Sequence, residues 1–326
     1  MKRFFTVALL LIISVIIGFS YGYLVHRNQI FPYRQITKTF LRYIYWKDMQ
    51  WSIGIYEGAN PFRLSDSKYA ENPVLSAHDV TDVDAAFVAD PFMVQDEGTF
   101  YLFFEVMNLD THTGDIGLAV SEDGTQWNYE RIVLDEEFHL SYPGIYNWEG
   151  QYYMIPESSE DYSVRLYRAV SFPYEWEYMG NLLSDDLYYD PTAFFHDDKW
   201  WMFTSTVGDG ILNLYYSDSL FSGWKAHPMN PIIEDNPDVA RPSGHVFEYE
   251  NHLYRVAQDD YPAYGIQVYA AEITELSVNS YKEVVDTMNK VVTLSGKGWN
   301  AVGMHHADIH QMGNHWIAVV DGLKRR

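Results

Sequence analysis

Cysteine is absent from this chain and positive charge is scarce: 326 residues carry 22 Lys and Arg against 45 Asp and Glu, a formal net charge of -23. The first absence excludes disulfides and thiolate metal sites. The second removes the basic stripe that would neutralise phosphates, so nucleic acid is excluded as a partner. Long apolar runs are nearly missing as well. Only FFTVALLLIISVIIGFSYGYL, residues 4–24, is long and uncharged enough to cross a hydrocarbon core of ~30 Å. Beyond residue 50 no extended 3.6-residue period occurs. What is there instead is period-2 alternation, rich in Tyr, Phe, Val and Trp, with 17% of the chain aromatic. That pattern predicts strands. Aromatic faces stack on sugar rings and carboxylates accept from hydroxyls, so a neutral polyhydroxylated partner suits the composition.

The run at 4–24 offers no small-x-small cleavage site in the following SYGYLVHRNQ, and residues 1–24 are expected to form an uncleaved membrane anchor. Residues 25–48, basic and aromatic, read as a membrane-proximal stalk. The chain is expected to cross once, with its C-terminal domain on the extracytoplasmic side. Arg27, Arg34, Lys38, Arg42 and Lys47 weigh against that orientation, since they outnumber Lys2 and Arg3 on the other flank.

An internal repeat organises the remainder. DPFMVQDEGTFYLFFE (90–105), YPGIYNWEGQYYMIPE (142–157), DPTAFFHDDKWWMFTS (190–205), RPSGHVFEYENHLYRVAQ (241–258) and HADIHQMGNHWIAVVD (306–321) each read as strand, tight turn, strand. The fourth is longer by two residues, which the alignment puts in its turn. A second hairpin follows each of the first four. The fifth lacks one, but WSIGIYEGANPFRLSD (51–66) resembles it and precedes the first repeat. Residues 49–326 are therefore expected to form an all-β, five-bladed propeller closed by N-terminal strands. Ring closure removes exposed edges. A β-sandwich does not require a period near 50.

The innermost strand of each blade lines the channel, so the first residues of the repeats should meet at one rim. These are Asp90, Tyr142, Asp190, Arg241 and His306, and proline follows the first four. Proline suits a strand start, where no ladder donor is needed. The second strand returns to the same rim and ends in Glu105, Glu157, Ser205, Gln258 and Asp321, ~5 Å to the side. Crowded carboxylates raise one another's pKa, leaving an acid beside an ionised base. Among these carboxyls Glu157 is the expected general acid, with Asp90 and Asp190 facing each other across the ring. Pro156 in IPES kinks the Glu157 strand. Arg241, His306, Tyr142, Glu105, Gln258, Asp321 and Tyr189 are expected to bind substrate. His306 and His310 lie ~13 Å apart along one strand, so no metal is assigned, although a structural Ca²⁺ on oxygen ligands has a place in the channel. His305 and His315 read as packed or solvated. Trp127, Trp176 and Trp224 read as packing between blades, while Trp148, Trp299, Tyr188, Tyr189 and Tyr261 read as rim aromatics for sugar stacking.

The segments ADPFMVQDEGTFYLFFE, IGLAVSEDGTQW and YYDPTAFFHDDKWWMFTS resemble the five-bladed propellers of glycoside hydrolase family 43 over most of residues 80–230. That resemblance implies Asp90 as base and Asp190 as the tuning residue. The family's acid, a Glu opening a later blade, does not carry over, because Arg241 opens the fourth blade. RPSGHVF and MHHADIH look closer to another branch, the N-terminal domain of plant glucosamine inositolphosphorylceramide transferases and its bacterial stand-alone relatives. In the plant enzymes a separate glycosyltransferase domain accompanies this one, so a carbohydrate or glycolipid substrate, and a partner glycosyltransferase, are what the likeness implies. A membrane-anchored glycosidase and a non-catalytic glycan-binding propeller are the two functions to be distinguished.

Overall fold

In β1 (Met49–Gly58) the residues Trp51, Ile53 and Ile55 are buried. Ser52, Gly54 and Tyr56 are buried as well, so both faces of the strand are covered, with Ile53 and Ile55 in one core and Tyr56 in another. β1 and the short β2 (Ser65–Asp66) belong to the blade that closes the ring. The next blade is β3 (Ala85–Asp96), β4 (Thr99–Asn108), β5 (Thr113–Ser121) and β6 (Asn128–Leu134). The second is β7 (Ser141–Trp148), β8 (Gln151–Ser158), β9 (Ser163–Ser171) and β10 (Glu175–Ser184). The third is β11 (Tyr189–His196), β12 (Lys199–Ser205), β13 (Leu212–Ser217) and β14 (Lys225–Ala226). β15 (Arg241–Pro242), β16 (Phe247–Tyr249), β17 (His252–Asp259), β18 (Gln267–Ser277) and β19 (Ser280–Thr293) make the fourth, and β20 (Ala307–Met312) with β21 (His315–Arg325) begin the fifth. This computed structural model describes residues 49–206 and 210–325, side chains at 287–289 excepted. The expected anchor and stalk, residues 1–48, lie outside the described residues.

Each blade is an antiparallel sheet, and the fifth has the order β2-β1-β21-β20. Its seam is long: β1 pairs with β21 from Met49↔Arg325 to Gly58↔Trp316. The N-terminal strands thus close the ring as the repeat requires. Met49 lies at the rim end of β1, opposite Arg325.

The apolar cores lie between blades. Ile53, Ile55 and Val319 pack on Val88, Leu102 and Phe104. Phe103 and Leu118 meet Ile145, Met154 and Tyr167, and Tyr153 and Ile155 meet Trp200 and Met202. Phe203 and Leu214 meet Ala240 and Tyr281, and Val256 and Val268 meet Ala307 and Ile309. Trp127, Trp176 and Trp224 join these seams, Trp176 edge-on to Phe103 at 5.6 Å. The two extra residues of the fourth repeat are in the inner strand, not its turn: Arg241 pairs Gln258 and Tyr249 pairs His252, with the break between Pro242 and Phe247.

Candidate functional site

Three blade entries share one backbone device. Asp90, Tyr142 and Asp190 have φ of 51°, 48° and 50°, a left-handed conformation that costs a non-glycine residue of order 1 kcal/mol or more. A register shift accompanies each, between Ala89 and Phe92, Ser141 and Gly144, and Tyr189 and Thr192. The bulge re-aims one side chain towards the axis, and strain repeated at three equivalent places marks a constrained rim. Arg241 and His306 arrive differently. Arg241 pairs Gln258 as Ala89 pairs Glu105, and the His306 carbonyl meets Asp321 N. Both therefore stand one register step before the positions of Asp90 and Asp190, a shift that simple alignment of the repeats misses.

The second ring ties the blades together. Asp321 Oδ2 accepts from Asp90 N at 3.2 Å, and Glu157 Oε2 accepts from Asp190 N at 3.1 Å. In each case the outer carboxyl of one blade holds the entry backbone of the next. Glu157 Oε1 also accepts from Ser159 Oγ at 2.8 Å. Asp321 Oδ1 accepts from the backbone N–H groups of His305 and His306 at 3.0 and 3.1 Å. Gln258 donates to Asp260 at 2.6 Å, and Glu105 lies 3.4 Å from His139 Nε2. The Tyr142 hydroxyl bonds Thr192 Oγ1 at 2.8 Å and takes the Gly244 N–H at 2.6 Å, joining three blades. Gly244 has φ +145°, and a Cβ there would sit 2.2 Å from the Ala307 carbonyl oxygen.

Opposite charges meet above this ring. Arg241 Nε donates to Asp190 Oδ2 at 2.5 Å, and its NH2 group lies 3.8 Å from Glu157 Oε2. The guanidinium sits between the Tyr189 and Tyr264 rings, 5.4 Å from each. Burial raises the Asp90 carboxyl to about 7; His305 opposes the rise, and the Asp190 and Asp321 charges add to it. Burial and the Asp190 charge push Glu157 well above the usual range against the pull of Arg241. Burial and the neighbouring acids do the same to Glu105. His306, enclosed beside Phe92 and Tyr142, is lowered to about 4 by burial and is neutral.

His305 is in the site rather than merely packed or solvated. Its Nδ1 is 2.7 Å from Asp321 Oδ2 and its Nε2 is 3.4 Å from Asp90 Oδ1. Burial opposes its charge, but Asp321 and Asp90 outweigh that and raise it to about 9. His305, Tyr264 and Ser159 have no counterpart at the repeat-aligned positions, and the doublet His305-His306 was their one sequence signal. Three expected rim aromatics belong elsewhere. Trp148 stands at the turn end of β7, against Phe195 and Trp200. Trp299 covers Gly54 and Gly322, and Tyr188 is buried with its hydroxyl donating to Ser184 O. Tyr261 is exposed in the loop after β17. Alternation marks a tyrosine or tryptophan as facing out of a strand; it does not say which end of the blade is the rim.

Lower in the channel Asp308 is fully buried, with His245 Nδ1 and His310 Nε2 each 2.7 Å from its carboxylate. Met93 N donates to the same group at 2.9 Å. Burial opposes its ionisation, but the two imidazoles hold the carboxyl well below the ordinary range. These three side chains could hold a metal ion, and two imidazoles with one carboxylate suit a borderline cation rather than the oxygen cage of Ca²⁺. His245 comes from another blade, which spacing within β20 could not reveal.

Residues 46–323 match the family model described as glucosamine inositolphosphorylceramide transferase 1, N-terminal. The chain is 36% identical over 296 residues to proteins named glucosamine inositolphosphorylceramide transferase 1 from Oryza sativa subsp. japonica and from Arabidopsis thaliana. It is covered to 83% in both, and spans about two fifths of their length, 40% and 39%. Among solved structures, an α-L-arabinofuranosidase from Podospora anserina in complex with cellotriose is similar in fold, with TM-score 0.57 at 10% identity over 86% of this chain and 98% of that one. The catalytic domain of a family 62 α-L-arabinofuranosidase from Coprinopsis cinerea is likewise similar, with TM-score 0.56 at 12% identity over 82% and 86%.

Proposed function

Because this chain belongs to the glucosamine inositolphosphorylceramide transferase 1 N-terminal family, we propose that its rim site takes the carbohydrate part of a glycan or glycolipid and hydrolyses a glycosidic bond there. The observation that carries this reading is Asp90. It sits at the rim on a strained backbone and is raised to about 7, the range a general base needs to be useful near neutrality. Asp90 would take a proton from the attacking water. Glu157, held protonated by its surroundings, would give one to the leaving oxygen, and Asp190 would hold the sugar and sense the same charge. Tyr189 and Tyr264 would provide stacking faces, with the Arg241 guanidinium between them. The apolar run at 4–24 would tether the chain at a membrane with this domain on the extracytoplasmic side. Surface glycans and glycolipid headgroups would be the substrates of a chain tethered in that way.

The experiment is product analysis by mass spectrometry after long incubation with neutral oligosaccharides and inositol-phosphate-linked headgroups. Wild-type chain should release a sugar, and Asp90→Asn should still bind while losing turnover by about 10²–10⁴-fold. Turnover of Asp90→Asn at the wild-type rate would remove the assignment. A second reading is favoured by one observation: Arg241 occupies Asp190 and approaches Glu157, so the acid is engaged by the protein itself. In that reading the propeller binds glycan without cleaving it and serves a partner glycosyltransferase. Tight binding with no product even at long times would support it over hydrolysis.

A further inference from the structure

Asp90 is surrounded by acids. Asp321 lies behind it, Asp190 comes from the third blade, and the neighbouring Glu105 and Glu157 couple to the same group of charges. Arg241 and His305 face the Asp90 side of this crowd. Arg241 bonds Asp190 and leans towards Glu157, so its charge is already shared between those two. His305 is the one turned to Asp90. His306 Nδ1 is 3.8 Å from the same Asp90 oxygen, but that ring is neutral. Tyr264 stands beside the His305 ring, and His139 Nε2 lies 3.4 Å from Glu105 Oε1.

His305 has one place to be. Its ring lies on Trp51 at a centroid distance of 4.1 Å and beside Tyr264 at 5.3 Å. Gly265, at φ +63°, passes so close that a Cβ would come within 2.5 Å of His305 Cβ. Asp321 then holds the residue at two points: Oδ1 accepts from the His305 backbone N–H at 3.0 Å, and Oδ2 lies as an ion-pair partner 2.7 Å from Nδ1, without the alignment of a hydrogen bond. We infer that His305 is the positioning residue of the rim site: clamped by Asp321 and Trp51, it presents a cationic Nε2–H to Asp90 and keeps that carboxyl available as an anion among its acidic neighbours. This rests on the reading of Asp90 as the working base, but the coupling itself exists whether or not a bond is cleaved.

The test is nuclear magnetic resonance on the full chain, with ¹⁵N-labelled histidine and ¹³C-labelled aspartate carboxyls. In the wild type His305 should give imidazolium nitrogen shifts at pH 7.5; a neutral ring there overturns the inference. The Asp90 carboxyl should titrate near 7 in wild type and about 1–3 pH units higher in His305→Gln, the span an adjacent opposite charge commands. An Asp90 midpoint that stays where it was also overturns the inference. Should His305→Gln fail to fold, Asp321→Asn keeps the ring and removes its counter-charge, and the imidazolium should then lose its proton at lower pH than in the wild type; a His305 midpoint that stays where it was overturns the inference. The glycan panel separates the two readings. A shifted midpoint without any turnover removes hydrolysis and leaves the His305 coupling standing, whereas turnover with an unshifted midpoint removes the coupling alone.

Discussion

Arg241 offers the sharpest energetic test of the rim. The substitution Arg241→Met keeps most of the apolar stem between Tyr189 and Tyr264 while deleting the charge. Asp190, whose side chain is 4% exposed, then faces Glu157 with no cation between them. Removing one partner of a buried pair costs about 3–5 kcal/mol, because the remaining charge is left without compensation. The protein can relieve this by taking up a proton, so the loss must depend on pH. A carboxyl whose folded pKa is raised retains its stability at low pH and loses it as pH rises, by about 1.4 kcal/mol per unit until the folded group ionises. Urea unfolding followed by tryptophan fluorescence should therefore show the full deficit at pH 8 and roughly half of it at pH 5. Adding Asp190→Asn to Arg241→Met should restore about 2 kcal/mol at pH 8, since neighbours in one network couple by up to ~3 kcal/mol. A deficit below ~1 kcal/mol at pH 8, equal at both pH values, would mean that the two residues do not meet as an ion pair.

Other expectations follow from single positions. Gly244→Ala places a methyl 2.2 Å from the Ala307 carbonyl and should cost about 3 kcal/mol or more, whereas Gly98→Ala, with open space at φ +89°, should cost about 1 kcal/mol; thermal unfolding compares the two. Asp115, bonded to Asn108 Nδ2 at 2.8 Å, is raised by burial to about 6 from 3.8. Its stability is present below pH 3.8 and lost as pH rises through about 6, so Asp115→Asn should be less pH-dependent and up to ~3 kcal/mol more stable than wild type at pH 7.5, with parity at pH 3.5. Urea titrations at the two pH values check both halves of that statement.

Much of this architecture is legible in the residues because a propeller repeats its chemistry. Five strand-turn-strand segments fix five blades, and the likeness of 51–66 to an outer hairpin fixes how the ring closes. Asp90, Asp190, Glu105 and Glu157 were placed at one rim by period alone. What alignment could not supply was the backbone between letters. The left-handed bulge at Asp90, Tyr142 and Asp190 moves those side chains one register step relative to Arg241 and His306, which no count of residues reveals. His305 was missed because alternation assigns it the face opposite His306, while Asp321 gathers both backbone N–H groups and turns the pair into the site. Trp148 was misplaced for a related reason: hairpin turns and rim loops are equally polar, and only the three-dimensional path tells one end of a blade from the other.

The most direct measurement is a titration of the full chain with neutral oligosaccharides and glycolipid headgroups, following backbone amide resonances. Occupancy of the proposed site would move signals at Asp90, Tyr189, Arg241, Tyr264 and His305 together. Shifts confined instead to the groove of about 800 Å³ beside Glu57, Arg63, Tyr69 and Thr125, with the rim unchanged, would contradict it.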